Sequence, residues 1–139
     1  MGERIRVLIA DDHRLFAESL AIMLEVEPSI EVVGYAAEGR EAVALAAILS
    51  PDVVVMDLDM PVMDGIEATR GVTRSAPDAK VVIVTGSRDE RDEVRAREAG
   101  AAAYVPKGAS VEDLRDIVCE VGSPVVSLAD ARRQLRRSA

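Results

Sequence analysis

Asp11 and Asp12 close one hydrophobic run, Ile5-Arg6-Val7-Leu8-Ile9-Ala10, and Asp57 closes another, Val53-Val54-Val55-Met56. A third run, Val81-Val82-Ile83-Val84, ends in Thr85, and a fourth, Ala102-Ala103-Tyr104-Val105, leads through Pro106 to Lys107. Carboxylate oxygens suit Mg²⁺ or Mn²⁺, hard ions commonly held by one or two protein carboxylates and several waters. Without an ion, crowding these carboxylates would raise the pKa of at least one. An ammonium opposite the metal would neutralise an anionic oxygen, and a hydroxyl would hydrogen-bond another. Such a grouping fits phosphoryl transfer, where positioning and charge neutralisation carry most of the catalysis.

These residues meet only if the four runs are strands of one parallel sheet, whose carboxyl ends share a rim. The spacing between them supports this, because short β-type runs alternate with stretches of helical period, the pattern of repeated βαβ units. Leu15, Phe16, Leu20, Met23 and Leu24 recur at helical spacing before Pro28, and Ile30 to Tyr35 reads as a further strand. An Ala-rich helix is expected from Glu38 to Leu49, ended by Ser50-Pro51. Asp64 is placed to cap a helix through Ile66, Ala68 and Val72. A helix from Asp89 to Ala99 is almost wholly charged, with Val94 as its one large apolar anchor, so it is expected to be weakly held. Gly100 closes it. Ser110 caps a last helix with Leu114, Ile117, Val118 and Val121 as its apolar stripe.

The expected fold class is therefore α/β, a doubly wound five-stranded parallel sheet with helices on both faces. Residues 1–121 form this domain, and 122–139 read as a hinge, Gly122-Ser123-Pro124, followed by a short linker helix that ends in an Arg cluster. At 139 residues and 49% hydrophobic, the chain fits one domain with a substantial core. Its net charge of −8 argues against binding nucleic acid or an acidic membrane, since phosphate contacts need surplus Lys and Arg. Cys119 is alone, which excludes an internal disulfide and suits a reducing compartment. No stretch approaches membrane-spanning length, and a cytoplasmic protein is expected.

The same residues carry a family resemblance. Asp11-Asp12-His13-Arg14-Leu15-Phe16, Val55-Met56-Asp57-Leu58-Asp59-Met60-Pro61-Val62-Met63-Asp64-Gly65, Val84-Thr85-Gly86 and Ala99-Gly100-Ala101 through Tyr104-Val105-Pro106-Lys107 resemble receiver domains of two-component response regulators. The likeness covers about residues 4 to 121, and its opening resembles the subgroup that precedes a LuxR/NarL-type helix-turn-helix output domain. It implies a flavodoxin-like strand order of 2-1-3-4-5, one of the two common orders of doubly wound sheets. It further implies that Asp57 is the phosphoacceptor, attacking a phosphoryl group carried on a histidine of a sensor histidine kinase. Asp12, Asp57 and the backbone carbonyl of Asp59 would hold Mg²⁺ (or Mn²⁺), with Asp11 acting through a water. Lys107 would contact a phosphoryl oxygen, and Thr85 would move toward it as Tyr104 turns into the vacated space. The protein would be a regulator rather than an enzyme, catalysing only its own phosphorylation and dephosphorylation. A homodimer on phosphorylation is a further implied state. DNA would be reached through an output domain absent from this segment, and no membrane is involved.

Blander roles compete at each position. Asp at a strand end is a common turn former, Thr85 a capping hydroxyl, Lys107 a solvated charge, and Tyr104 a cover for the sheet edge. His13 reads as a helix-entry residue and Cys119 as a small packed side chain. Lys107 is followed by Gly108 where many receivers have Pro, which puts that loop's geometry in question. Asp59 and Ser87, two residues beyond the acceptor and the switch Thr, lie where relatives tune hydrolysis of the acyl phosphate. Asp57-Leu58-Asp59 also resembles the start of a haloacid-dehalogenase-type phosphatase, although here the acidic pair comes first and no substrate cap follows. A phosphorylation-independent interaction module is the third reading.

Overall fold

The computed structural model describes residues 4–123. Five strands form one all-parallel sheet: β1 (Ile5–Ala10), β2 (Ile30–Ala36), β3 (Val53–Met56), β4 (Lys80–Thr85) and β5 (Ala103–Pro106), in the order β2-β1-β3-β4-β5. Between and after them run α1 (Arg14–Leu24), α2 (Gly39–Leu49), α3 (Gly65–Ser75), α4 (Glu90–Glu98) and α5 (Val111–Gly122). The doubly wound architecture and the strand order are those expected.

A parallel sheet is covered on both faces, so its strands carry apolar side chains on both sides rather than alternating with polar ones. All four residues of β3 are buried, and β1 and β4 are buried along nearly their whole length. Leu8, Ala10, Val54, Met56, Val81 and Ile83 face one layer with residues of α2, α3 and α4. Val7, Ile9, Val53, Val55, Val82 and Val84 face the other with residues of α1 and α5. Register then fixes the rim: Ala10 lies beside Met56, Met56 beside Ile83, and Thr85 beside Pro106. Asp11, Asp57 and Lys107 each begin one residue past these pairs.

Helix ends follow local chemistry. The Asp64 side chain accepts from the amides of Ile66 and Glu67, and the Ser110 hydroxyl accepts from the Asp113 amide, as expected of N-caps. Gly100 closes α4 with φ +113, a conformation that side chains rarely adopt. Gly65 is needed for closeness: a Cβ there would strike the carbonyl oxygen of Asp57. Every described peptide bond is trans, including that after Lys107.

Two apolar assignments need correction. On α1 the face turned to the sheet is Ala17, Leu20, Ala21 and Leu24, while Leu15 is 80% exposed and Phe16 and Met23 are partly exposed outside that face. The large residues at 15, 16, 20, 23 and 24 wrap around the helix, and two alanines complete the buried stripe. On α4 Val94 is no anchor, being 55% exposed; Ala96 is the helix's buried residue. The weak apolar hold expected of α4 is therefore weaker still. Helix α5 continues through Gly122, into the expected hinge, and the expected linker helix lies outside the described residues. Among the described residues no helix is long and apolar enough to cross a membrane.

Urea denaturation of three variants tests this packing. Val94→Ala should change stability by no more than about 0.5 kcal/mol, whereas Ala96→Leu should cost ~1–3 kcal/mol through overpacking. Gly65→Ala should also cost ~1–3 kcal/mol, because the obstacle is backbone and cannot swing aside.

Candidate functional site

Backbone bonds extend the sheet one step beyond its strands and thereby fix the rim residues. The Asp11 amide donates to the Ala36 carbonyl at 2.9 Å, the Asp57 amide to the Ala10 carbonyl at 2.9 Å, and the Lys107 amide to the Thr85 carbonyl at 2.8 Å. Each side chain of the site thus leaves a backbone whose position the core has already set. Asp11 and Asp57 are buried, whereas Asp12 is exposed.

Lys107 Nζ stands 3.5 Å from Asp11 Oδ2 and 3.5 Å from Asp57 Oδ2, bridging the two buried carboxylates. Both contacts are longer than a tight ammonium–carboxylate bond of about 2.7–2.9 Å, so one cation faces two anions without fully engaging either. The Asp59 amide approaches Asp57 Oδ1 at 3.4 Å. Burial, and then the neighbouring Asp11, push the Asp57 carboxyl above its usual range; Lys107 and the Asp59 amide oppose this and do not prevail. The negative charge of buried Asp57 is thus not fully offset by its neighbours.

Ligand atoms of Asp11, Asp12, His13 and Asp57 lie within 4.8 Å of one another. A donor set dominated by carboxylate oxygens, with more buried negative charge than its single ammonium offsets, is compatible with a hard divalent cation. Thr85 is fully buried at the end of β4, and its Oγ1 accepts from the Ser87 amide at 3.0 Å. Tyr104 packs its ring against the core layer of α2, α3 and α4, with its hydroxyl buried and without a hydrogen-bond partner. Desolvation raises its pKa. All the residues singled out from sequence thus fall on or beside one rim, with Tyr104 half-buried on the edge strand.

Two participants, His13 and Phe16, were not anticipated at the site, and Ser87, expected beside it, makes a contact the sequence did not announce. His13, read as a helix-entry residue, places Nδ1 3.3 Å from Asp11 Oδ1 and 3.3 Å from Asp12 Oδ1, and its amide donates to Asp11 Oδ1 at 2.8 Å. The signal available was adjacency to the acidic pair. The Phe16 ring lies under Lys107, with Nζ 4.8 Å from its centroid, a cation–π contact one helical turn after Asp12. Ser87 joins Thr85 to Asp92 of α4 by a 2.6 Å bond from its hydroxyl to Oδ2, and no sequence period announces such a pair.

The family model described as the response regulator receiver domain matches residues 7–119. Transcriptional regulatory protein LiaR of Bacillus subtilis is 41% identical over 135 residues, covering 96% of this chain and 64% of LiaR. Response regulator GacA of Pseudomonas aeruginosa is 43% identical over 117 residues, 84% of this chain and 55% of GacA. The chain thus spans roughly half to two thirds of the length of these curated relatives. Among solved structures, the receiver domain of the putative response regulator NarL from Mycobacterium tuberculosis superposes with a TM-score of 0.84 at 28% identity, over 89% of this chain and 100% of that one. A LuxR-family two-component response regulator from Aurantimonas gives 0.81 at 31% identity, over 98% of each chain. These likenesses leave no place for the haloacid-dehalogenase reading. With five strands in the receiver order and an acidic rim at their ends, this chain belongs to the response regulator receiver-domain family, in the branch of LuxR/NarL-type regulators.

Proposed function

We propose that Asp57 is the phosphoacceptor of this receiver and that a sensor histidine kinase is its donor. One carboxylate oxygen of Asp57 attacks the phosphorus of a phosphohistidine; the P–N bond breaks, its electron pair returns to the imidazole nitrogen, and an acyl phosphate forms. The observation that supports this assignment is the burial of Asp57 at the end of the central strand, facing an ammonium it does not fully engage. It is buried on the central strand, its pKa is raised, and Lys107 reaches it only at 3.5 Å. A raised pKa makes the carboxylate a better nucleophile, and the long approach of Lys107 leaves its ammonium free to follow the charge onto a phosphoryl oxygen.

Asp12, Asp57 and the Asp59 carbonyl would hold Mg²⁺ or Mn²⁺, with Asp11 acting through a water. When bound, the ion supplies neutralisation of phosphoryl charge. Thr85 Oγ1 already accepts from the Ser87 amide, so its single proton remains for donation to a phosphoryl oxygen. Asp11 holds the His13 amide, which keeps the loop that carries Asp12 against the rim. Phosphorylation would then bias Thr85, Tyr104 and α4 toward a second packing, a population shift driven by new charge-assisted bonds. The remaining assignments of this reading are a regulatory rather than enzymatic role, a cytoplasmic location and a homodimer of the phosphorylated form. Transcriptional output would come through a DNA-binding domain such as the curated relatives' regulatory names imply. A direct DNA contact by this acidic segment is not part of it.

Incubated with Mg²⁺ and a small acyl or amide phosphodonor, the protein should take up one phosphoryl group per chain, released by hydroxylamine and lost in Asp57→Asn. Lys107→Ala should slow labelling by about tenfold or more, as expected when a charge-stabilising group leaves a phosphoryl-transfer site. Sustained turnover of varied phosphate esters would overturn the assignment. So would complete absence of label, which would favour an interaction module instead.

The charge crowding also sets a pH dependence. In the metal-free protein the folded state binds the Asp57 proton more tightly than the unfolded state does, so Asp57 loses stability as pH rises through its raised pKa. Asp57→Asn should therefore be more stable than wild type at neutral pH, and the difference should close as pH falls below the ordinary carboxylate value of 3.8. At tenfold over its Kd, Mg²⁺ should add about 1.4 kcal/mol to wild-type stability, and much less to Asp57→Asn, in thermal melts.

A further inference from the structure

Lys107 Nζ has a third neighbour besides Asp11 and Asp57. The ring of Phe16, in the first turn of α1, lies against it with its centroid 4.8 Å away. Lysine ends in a compact charge on a flexible four-carbon stem, so the place of that charge is set by what it touches. The Lys107 amide is fixed by its bond to the Thr85 carbonyl, but the side chain beyond it is not wedged. A cavity of about 200 Å³ opens beside it between α1 and the β5–α5 region, lined also by Phe16, Leu20, Met23, Val105 and Leu114. Gly108, next in the chain, has open space where a Cβ would stand. Attraction, not confinement, therefore decides where the ammonium rests.

The carboxylates alone do not account for that place. A lysine free to choose would close on one of them to about 2.7–2.9 Å. Instead it stands 3.5 Å from each. An aromatic face attracts a cation within about 6 Å of its centroid, more strongly where water is excluded. The Lys107 side chain is 28% exposed, so the ring supplies cover against water that the two carboxylates leave incomplete. Phe16 is the chain's only phenylalanine, and it stands outside the stripe that α1 buries against the sheet. Core packing does not explain it; the contact with Lys107 does.

We propose that Phe16 is a positioning residue for phosphoryl transfer, whose ring holds the Lys107 ammonium between the two carboxylates and shields it from water. From there the ammonium can move onto a phosphoryl oxygen without first breaking a tight ion pair. Shielding also weakens the solvent screening of that charge, so the same ammonium neutralises more of the charge on the phosphoryl oxygens in the transition state. The ring takes no part in bond making and acts only through Lys107. The inference rests on the receiver reading above, since it concerns how that site's lysine is placed.

Lys80 and Lys107 are the chain's two lysines, so ¹³C-labelled lysine gives two ε-methylene signals by NMR. The Lys107 signal is identified by its loss in Lys107→Ala. A methylene near an aromatic face is shifted upfield, so this signal should lie upfield of that of Lys80 in the wild type and in Phe16→Tyr. It should return toward the Lys80 position in Phe16→Leu, which keeps an apolar side chain without a π face. Both replacements lie outside the buried stripe of α1 and leave the fold intact. Label uptake from a small phosphodonor, at Mg²⁺ saturating for each variant, should slow by about three- to tenfold in Phe16→Leu. Phe16→Tyr should restore it to within about twofold of wild type. In a Lys107→Ala background Phe16→Leu should add no further slowing, as expected of a residue that acts through the lysine. A wild-type Lys107 signal with no upfield displacement, or a normal rate in Phe16→Leu, overturns the proposal and leaves the receiver reading intact. Equal slowing in Phe16→Leu and Phe16→Tyr, or further slowing in the Lys107→Ala background, also overturns it, because the ring would then act by packing or by touching the donor. Absence of label in the wild type, or label retained in Asp57→Asn, overturns the receiver reading and the proposal with it.

Discussion

Two buried carboxylates, Asp11 and Asp57, share one ammonium, and the rest of the molecule is arranged so that this imbalance can exist. Isolated carboxylates in an apolar interior would simply take up protons. Here the ends of β1 and β3 bring them together because parallel strands finish on one edge, and backbone bonds beyond the strand ends hold that edge in register. The core on both faces of the sheet provides the rigidity. Val53, Val54, Val55 and Met56 are all buried, so β3 cannot slide or tilt to relax the charge at its end. Stability drawn from apolar burial thus maintains an electrostatic tension at the rim.

The helices divide the work unequally. On the α1 and α5 side the sheet meets Leu20, Leu24, Leu114 and Val118, large side chains that fasten both helices. On the opposite side α3 contributes Ile66 and Val72 and α2 the alanines Ala42 and Ala46 with Val43, Leu45 and Leu49 partly buried, whereas α4 buries only Ala96, so α4 is the lightly held helix of that layer. Helix α4 compensates with charge: Asp89 caps its own amide partner Arg91, and Glu93 pairs with Arg97 at 3.2 Å on the exposed surface. Exposed pairs of this kind contribute only about 0.2–1 kcal/mol each, and they travel with the helix rather than binding it to the sheet. Low local stability beside the rim is the property expected of a surface that must rearrange.

Much of this was legible in the sequence, for identifiable reasons. Runs of Val and Ile bounded by Asp, Pro and Gly marked four strands and their carboxyl ends, and a parallel sheet then forced Asp11, Asp57, Thr85 and Lys107 onto one rim. Asp64 and Ser110 announced their helices through capping chemistry alone. The failures share a cause. Reading a large apolar residue as the anchor put Val94 inside, and the helical recurrence of Leu15 and Met23 did not show which face of α1 is buried, whereas the close approach of helix to sheet selected Ala17, Ala21 and Ala96. An alanine carries little signal in a hydrophobic pattern, yet it fits where a leucine would collide. The direction of Tyr104 was equally hidden, because a residue of an edge strand can face either layer. Polar contacts across a turn, such as Ser87 to Asp92, have no period at all, and only coordinates bring them to light.

What remains unsatisfied in the fold gathers around the rim. Asp57 is buried with its pKa raised, the Tyr104 hydroxyl is buried without a partner, and Val62, in the loop from β3 to α3, has a backbone φ of +71 that a β-branched residue tolerates poorly. Costs of this kind persist only where surrounding structure imposes them, and they concentrate where a protein must change state. A fully satisfied rim would lie in a single deep minimum, and adding one charged group would do little to move it. A rim that already carries an underneutralised carboxylate and an orphan hydroxyl lies closer in energy to an alternative packing. A few kilocalories of new electrostatic interaction at Asp57 are then enough to reverse the balance, which is the magnitude that population shifts require.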